Sequence, residues 1–521
     1  MLGWLFFAWA GATSLLADAD TGWHIHTGEQ VLNTGSVPTT DPFSFTMRDR
    51  EWFAWEWLAD VSLAVAHRID GLRGVVLLAG AVIAATAAGS LRFMVWRGAN
   101  ILLAIPMMVV ICSVSTMHWL ARPHMYTWLF FLAVLWLLEA DRRNPGRSVW
   151  WLVPLTAVWT NVHGGFVAAL VTVGIFAVGT GLEDLWRERP SLADGWRAWF
   201  PESTRRYLML FAGCFAATFV NPFGWGLHTH ILGYLDSDFI LKYVMEFRSP
   251  SFRDEGMKML EATMLGSLLL SGGMIARGRF AWPLLIAAWA HATLTSVRHA
   301  PLFMMVAAPV LAEEASRWIS AAARGGQSLA VTLQEIADDY SGQGDTRSER
   351  FAVSWLPLAG LAFVAFNLHA RAGETNWTAQ FAAIRFPTVA ADALGERLKG
   401  RRILTTDQWG DYLIYRYYPE YRTFIDGRSD FYDPEIRNDY LAILEGSWKA
   451  ERALDSYELD ATLAPLEWAL CGALKRHPDW ELVYDDGFAL LFERRKGGAA
   501  AGAKKRSPTL RKAPEEPGQS S

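Results

Sequence analysis

Apolar runs recur along most of this chain, and their number and length constrain its fold more than any single motif. After the opening stretch MLGWLFFAWAGATSLLA they fall at about 74–95, 99–117, 124–139, 149–162, 165–181, 206–221, 259–276, 280–296, 300–316 and 351–368. Several are shorter than the ~20 residues that cross a hydrocarbon core comfortably, so the total is about eleven, give or take one or two. Composition agrees: the 521 residues are 52% hydrophobic and only 19% charged, too apolar for a soluble enzyme of ordinary surface. The expected fold is an α-helical multi-spanning membrane protein. A net charge of −5 offers no basic field, so no nucleic-acid partner is expected. The three cysteines, Cys112, Cys214 and Cys471, lie far apart and imply neither a disulfide framework nor a Cys-rich metal site.

The opening stretch has no Lys or Arg ahead of its apolar residues, so it reads as a retained first span rather than a cleaved signal. With the N-terminus in the cytoplasm, the short inner loops carry Arg92, Arg97, Arg142, Arg143, Arg147, Arg187, Arg189, Arg197, Arg205, Arg206, Arg277, Arg279, Arg317 and Arg324. That set obeys the positive-inside rule. The same parity places a long loop at 18–71, and everything after 368, outside the cytoplasm. Polar residues then gather on the outer face: Asp18, Asp20, His24, His26, Asp41 and Glu56 in the first loop, and Arg122, His124, Asn161, His163, Asn221, His228, His230, Glu246, Arg248, Arg298 and His299 at later junctions. The inner loops offer Arg and scattered acids without a compact cluster. Ionisable groups at a membrane edge are costly, and their one-sidedness is the main functional signal, although any one of them can be a snorkelling or capping residue.

The first loop opens with DADTGWHIHTG. Asp18 or Asp20 can cap a short helix through about Leu32, with Gly35 stopping it in the left-handed region. Asp20 and His24, four apart, would then touch. Ser36 to Thr46, with Pro38 and Pro42, reads as an extended crossing segment, and Trp52, Trp55 and Trp57 as anchors in an aromatic belt. Two chemistries suit the acids. One is general-base catalysis, with cations holding a phosphate leaving group; the other is a divalent metal, Mn²⁺ or Zn²⁺, on Asp20, His24 and His26, with Asp18 a further ligand candidate. NVHGG and NPFG are tight turns at helix ends, structural or ligand-facing.

Residues 369–495 have soluble composition and alternate strands with helices: RRILTT, RTFIDGR and DATLAP as strands, DQWGDYLIYRYYP and LEWALCGALKRH as helices, and a hairpin turning on DDG. The expectation is a small extracytoplasmic α/β domain. FIDGRSDFY places Asp426, Gly427, Arg428 and Asp430 where open sheets bind ligands, and Arg428 equally pairs with Asp430 or Asp407. Residues 496–521 read as a disordered tail, and SLAVTLQEIADDY as an amphipathic helix in an inner linker. No nucleotide-binding motif is present, so energy must come with the substrate.

A first span, a long outer loop opening with paired acids, further spans and an outer C-terminal domain resemble the C-type glycosyltransferases, which use polyprenyl-phosphate sugars and include protein mannosyltransferases and lipid A aminoarabinose transferases. More closely, DADTGWHIHTGEQVLNTGSVPTTDPFSFT…WEWLAD, WTNVHGGF, NPFG and DQWGDYLIYRYYPEYRTFIDGRSDFY resemble uncharacterised bacterial membrane proteins grouped with that superfamily. The resemblance implies a bacterial plasma-membrane enzyme making an inverting sugar transfer to a glycan, lipid or protein acceptor. In that reading Asp18 or Asp20 is the base, and His24, Glu56, Arg122, His163, Glu246, Arg248, Arg298 and His299 contact substrate. Superfamily members often show adjacent acids here, whereas Ala19 separates these two. The alternatives are a glycan ligase or polymerase using Arg and His, and a non-catalytic transporter or scaffold for lipid-linked glycans.

Overall fold

The structure, a computed structural model, describes residues 12–191, 199–342, 379–447 and 449–495. The opening eleven residues, the expected last span at 351–368, the 368/369 boundary and the expected disordered tail, whose residues are 496–521, lie outside these.

The described residues begin with a 3-10 turn, Ala12–Leu16, and helix α1, Thr21–Thr34. Gly35 ends α1 with φ +68°, the stop expected from NTG. Asp20 stands at the N-cap position but makes no capping bond, because its carboxylate is engaged elsewhere. Helix α2, Trp57–Arg97, breaks at Asp70 and Gly71, where Gly71 has φ +55° and ψ −145°. The part before the break packs on α1, and the part after it is the first long apolar helix. Gly28 is required at the α1/α2 crossing, since a Cβ there would stand 2.0 Å from the Asp60 carbonyl oxygen.

Helices α3 (Ile101–Ser115), α4 (His124–Arg143), α5 (Leu152–Thr160), α6 (Val167–Glu188) and α7 (Glu202–Ala217) follow. After them come the short α8 (Trp225–Leu235) and α9 (Asp238–Tyr243), then α10 (Lys258–Ala276), α11 (Ala281–Thr295), α12 (Ala300–Arg324) and α13 (Ser328–Gly342). Among the described residues four helices, Trp57–Arg97, Ile101–His118, Gly164–Glu188 and Glu255–Ala276, are by themselves long and apolar enough to cross a membrane. The expected runs at 124–139, 206–221, 280–296 and 300–316 are also helical. The run at 149–162 is a 3-10 turn plus the nine residues of α5, about 20 Å in all at 1.5 Å per residue.

Residues 379–495 add α14 (Thr388–Leu398), β1 (Ile403–Leu404), α15 (Asp407–Tyr417), α16 (Pro434–Leu444), α17 (Ala450–Ser456), β2 (Ala461–Pro465), α18 (Ala469–Leu474), β3 (Trp480–Asp485) and β4 (Ala489–Arg494). The sheet order is β1-β2-β4-β3, with β1 and β2 parallel and the others antiparallel. RTFIDGR is not a strand. Only Thr423 is bridged, to Ile403 and to Ser44 of the first loop, and the chain beyond it leaves the sheet. A small core (Leu404, Phe424, Tyr440, Leu470, Trp480, Phe492) forms within this unit and also takes in Met47. Phe381, Trp409 and Tyr412 instead share the main core with Trp23, Ile25 and the long helices. The C-terminal unit is thereby fixed to one end of the bundle through the first loop.

At the opposite end the scattered acids expected from the inner loops turn out to form a compact buried network. Glu139 accepts from Arg142 and Arg143 and from the Trp282 indole, while Glu183 pairs with Arg142. Glu313 takes Arg97, Arg279 and Arg317, and Glu314 takes Arg277, Arg279 and Arg317. These residues come from α2, α4, α6, α11, α12 and the turn before α11. Their convergence depends on helix packing, which no local window shows.

Candidate active site

A cavity of about 360 Å³ opens where α1, the first loop, the ends of α4, α6, α8, α11 and α12, and residues 427–430 meet. Asp20, Glu56, Asp60, His118, Arg122, His124, His163, Glu246, Arg298, His299 and Asp430 line it, with an aromatic wall of Trp52, Phe53, Trp55, Tyr234, Phe247 and Trp289.

Its centre is an acid pair clamped by one cation. Arg122, between a 3-10 turn and α4, reaches Asp18 Oδ2 at 2.6 Å and Asp20 Oδ2 at 2.7 Å. The geometry separates the two acids. Burial opposes the charge on Asp18, but Arg122 and the backbone N–H of Asp20 outweigh it and hold Asp18 below the usual carboxylate range. For Asp20 burial outweighs Arg122, the Asp18 charge adds to it, and the carboxyl is pushed up to about 7. Asp20 is also within hydrogen-bond reach of Asp411 on α15, and burial, together with the Asp20 charge, holds Asp411 well above its usual range. The Gly427 amide donates to both Asp411 oxygens, at 3.2 and 3.0 Å. Asp20 lines the cavity, whereas Asp18 does not.

A second group stands on α1, the start of α2 with the residue before it, and the NVHGG turn. His24 Nδ1 lies 2.6 Å from Asp60 Oδ1, and its Nε2 is 3.9 Å from Glu56. His163, in NVHGG, accepts from the Gly165 amide at Nδ1, which leaves the ring proton on Nε2, 3.5 Å from Glu56 Oε1. Burial, then nearby arginines, pushes both imidazoles below their usual range. A third group is Arg298 and Glu246, 3.4 Å apart, with Arg298 stacked 4.3 Å over Phe247. Despite burial, Arg298 and then Arg122 hold Glu246 down at about 2.

Residues 426–430 close one wall. Arg428 pairs with neither Asp430 nor Asp407. It is buried on Asp426 and on Asp41 of the first loop, at 2.6 and 2.7 Å, ringed by Trp52, Phe43, Phe431 and Trp23. Asp430 instead meets His230 on α8 at 3.1 Å.

Several expectations are corrected by these contacts. The side chains of Asp20 and His24 do not pair, because Arg122 holds one and Asp60 the other. The proposed ligand trio Asp20, His24 and His26 does not converge: His26 Nε2 faces the Tyr415 carbonyl at 3.2 Å, and among the described residues no group of three His, Cys, Asp or Glu is placed to hold a metal. Arg248 is exposed and donates to the Lys242 carbonyl, away from the cavity. Trp52 is no belt residue but is buried and stacked on Arg428, while Trp55 meets His230 edge-on and Trp57 donates to Asn161. Asn161 and Asn221 are accounted for by such turn-holding bonds. Sequence reasoning passed over Asp60, Asp411 and Tyr234. For Asp411 an available signal was the i, i+4 pair with Asp407 in an aromatic-rich helix.

No family model matches the chain, and no curated protein matches its sequence. Solved structures do. The Archaeoglobus fulgidus oligosaccharyltransferase in its apo form superposes with a TM-score of 0.54 at 11% identity, over 88% of this chain and 67% of that one. The same organism's oligosaccharyltransferase AglB, in complex with an inhibitory peptide and a dolichol-phosphate, gives 0.54 at 10% identity over 91% and 70%. Tethered to an acceptor peptide containing the NVT sequon, it gives 0.52 at 13% over 94% and 71%. The chain is thus mostly helical, with helices apolar enough to cross a membrane, and it shares the fold of these oligosaccharyltransferase structures.

Proposed function

We propose that this protein transfers a sugar from a polyprenyl-phosphate donor to a hydroxyl acceptor on the outer face of a bacterial plasma membrane, with Asp20 as general base. The observation that carries the reading is the convergence, in one cavity at the bundle end facing residues 379–495, of a raised carboxyl, two arginines and an aromatic wall. Asp20 takes the acceptor proton as the acceptor oxygen bonds to the anomeric carbon. The bond from that carbon to the phosphate oxygen breaks on the opposite face, and polyprenyl phosphate leaves with the electron pair. A base whose proton affinity lies near the working pH suits this step. Arg298, paired at 3.4 Å with Glu246, is the cation best placed to turn to the phosphate, while Arg122 is anchored on the acids. The dolichol-phosphate in the oligosaccharyltransferase complex supports the donor class.

A second reading, a ligase or polymerase working through Arg and His, draws on His118, His124, His163 and His299 in the lining. Release of polyprenyl phosphate from polyprenyl-phosphate sugars by the purified protein tests both readings. The expected result is turnover that a chelator leaves unchanged. Donor bound but never consumed would favour the transporter or scaffold reading. Gly427→Ala adds a finer test: the new Cβ would stand 2.0 Å from Asp20 Oδ1 and 2.9 Å from Asp411 Oδ2, forcing Asp20 out of place. Misplacing a reacting group by about 1 Å costs on the order of 10²-fold in rate, so turnover should fall that far in a folded protein.

A further inference from the structure

Glu56 is an acid in the cavity that the transfer step above does not use. Its carboxyl is only 12% exposed, and among the described residues no Lys or Arg nitrogen lies within 4 Å of it. Its nearest polar neighbours are His24 Nε2 and His163 Nε2, on two otherwise buried imidazoles. Beyond them, the charged and titratable groups that face it are Arg122, Arg298, Asp20, Asp430 and Asp60. A carboxylate there would repel a phosphate bound in the same cavity, whereas a neutral carboxyl can donate a hydrogen bond to it.

Resting on the polyprenyl-phosphate reading, we propose that Glu56 is a protonated hydrogen-bond donor that completes an anion site with Arg298, built for a phosphate monoester. Burial pushes the Glu56 carboxyl up to about 8, outweighing both arginines, with the charges of Asp430 and Asp20 adding to it. The sign follows directly. Below about 8 the group keeps its proton and donates; above that it becomes an anion facing an anion. Phosphate affinity therefore weakens as pH rises through this range, by up to about tenfold per unit beyond it.

The test is equilibrium binding of polyprenyl phosphate to the full-length protein in nanodiscs between pH 7.5 and 9.5. Over this window the probe, with a second ionisation near pH 6, keeps a constant charge. Inorganic phosphate serves as a second probe. Wild type should lose affinity toward pH 9.5, and in Glu56→Gln that alkaline loss should vanish, so that the variant binds more tightly than wild type at pH 9.5. Loss seen with either probe supports the proposal, and the tighter probe names the source of the phosphate. Wild-type binding that is flat with pH, or a Glu56→Gln variant with the same alkaline loss, overturns the proposal and leaves the transfer reading standing. The wild-type series applies even if the variant does not fold. Failure of wild type to bind either probe at any pH overturns the donor reading and this inference together.

Discussion

Asp20→Asn is expected to reduce sugar transfer by about 10²–10⁴-fold, the range that a positioned acid–base group contributes, while leaving the protein folded. The amide keeps the shape of the side chain and can still meet Arg122 and Gln408, which approaches Asp20 Oδ1 at 3.4 Å. It cannot take a proton. Stability separates this loss from unfolding. The folded protein holds a proton on Asp20 up to about 7, whereas an unfolded chain releases it near 3.8, the ordinary value for an aspartate. The folded state therefore binds more protons between those values, and this group's contribution to stability falls as pH rises through the window. An uncharged amide removes that cost, so the variant should unfold no lower than wild type at neutral pH. Asp18→Asn should behave differently. Asp18 lies outside the cavity lining and its charge is held by Arg122, so its loss weakens the Arg122 clamp and lowers the rate less.

Arg428→Met should produce the largest loss of stability. The guanidinium is 4% exposed and satisfies Asp426 through Nε and Nη2 and Asp41 through Nη2. Removing it leaves two carboxylates, 1% and 2% exposed, in an aromatic surround with no replacement cation. Breaking a buried pair from one side costs about 3–5 kcal/mol. Because Asp41 belongs to the first loop and Asp426 to the C-terminal unit, the damage falls on the seam that closes the cavity. A large drop in the apparent unfolding temperature in detergent is the expected readout, with activity lost in proportion to unfolded protein. Arg428→Lys should recover only part of it, since one ammonium cannot reproduce the forked contacts. An unfolding temperature unchanged in Arg428→Met would show that the seam is held by its apolar contacts instead.

The sequence made some of this legible and concealed the rest for identifiable reasons. Apolar runs show in local windows, as does the stop at Gly35, and Asp18, Asp20, Arg122, His163, Glu246, Arg298 and His299 were marked by their place at junctions. What could not be read was who meets whom. Arg122 is 104 residues from Asp18, and Arg428 is 387 from Asp41. Local spacing put Asp20 on His24, but the tertiary partners Arg122 and Asp60 won. Tryptophan at a membrane boundary reads the same whether it anchors in lipid or cages an arginine, and only packing distinguishes Trp52 from a belt residue. RTFIDGR has strand composition, yet the buried charges of Asp426 and Arg428 pull the chain off the sheet toward the cavity.

The central claim is that the cavity around Asp20 holds a lipid-linked phosphate. Photocrosslinking with a polyprenyl phosphate carrying a diazirine next to its headgroup, read out by peptide mapping, tests this most directly. The account predicts adducts on the cavity walls, in the segments around Trp52–Glu56, His163–Val171, Ile231–Leu235 and Arg298–Leu302, displaced by unlabelled polyprenyl phosphate. Adducts spread over the lipid-facing helix surfaces, with none on those segments, would contradict it.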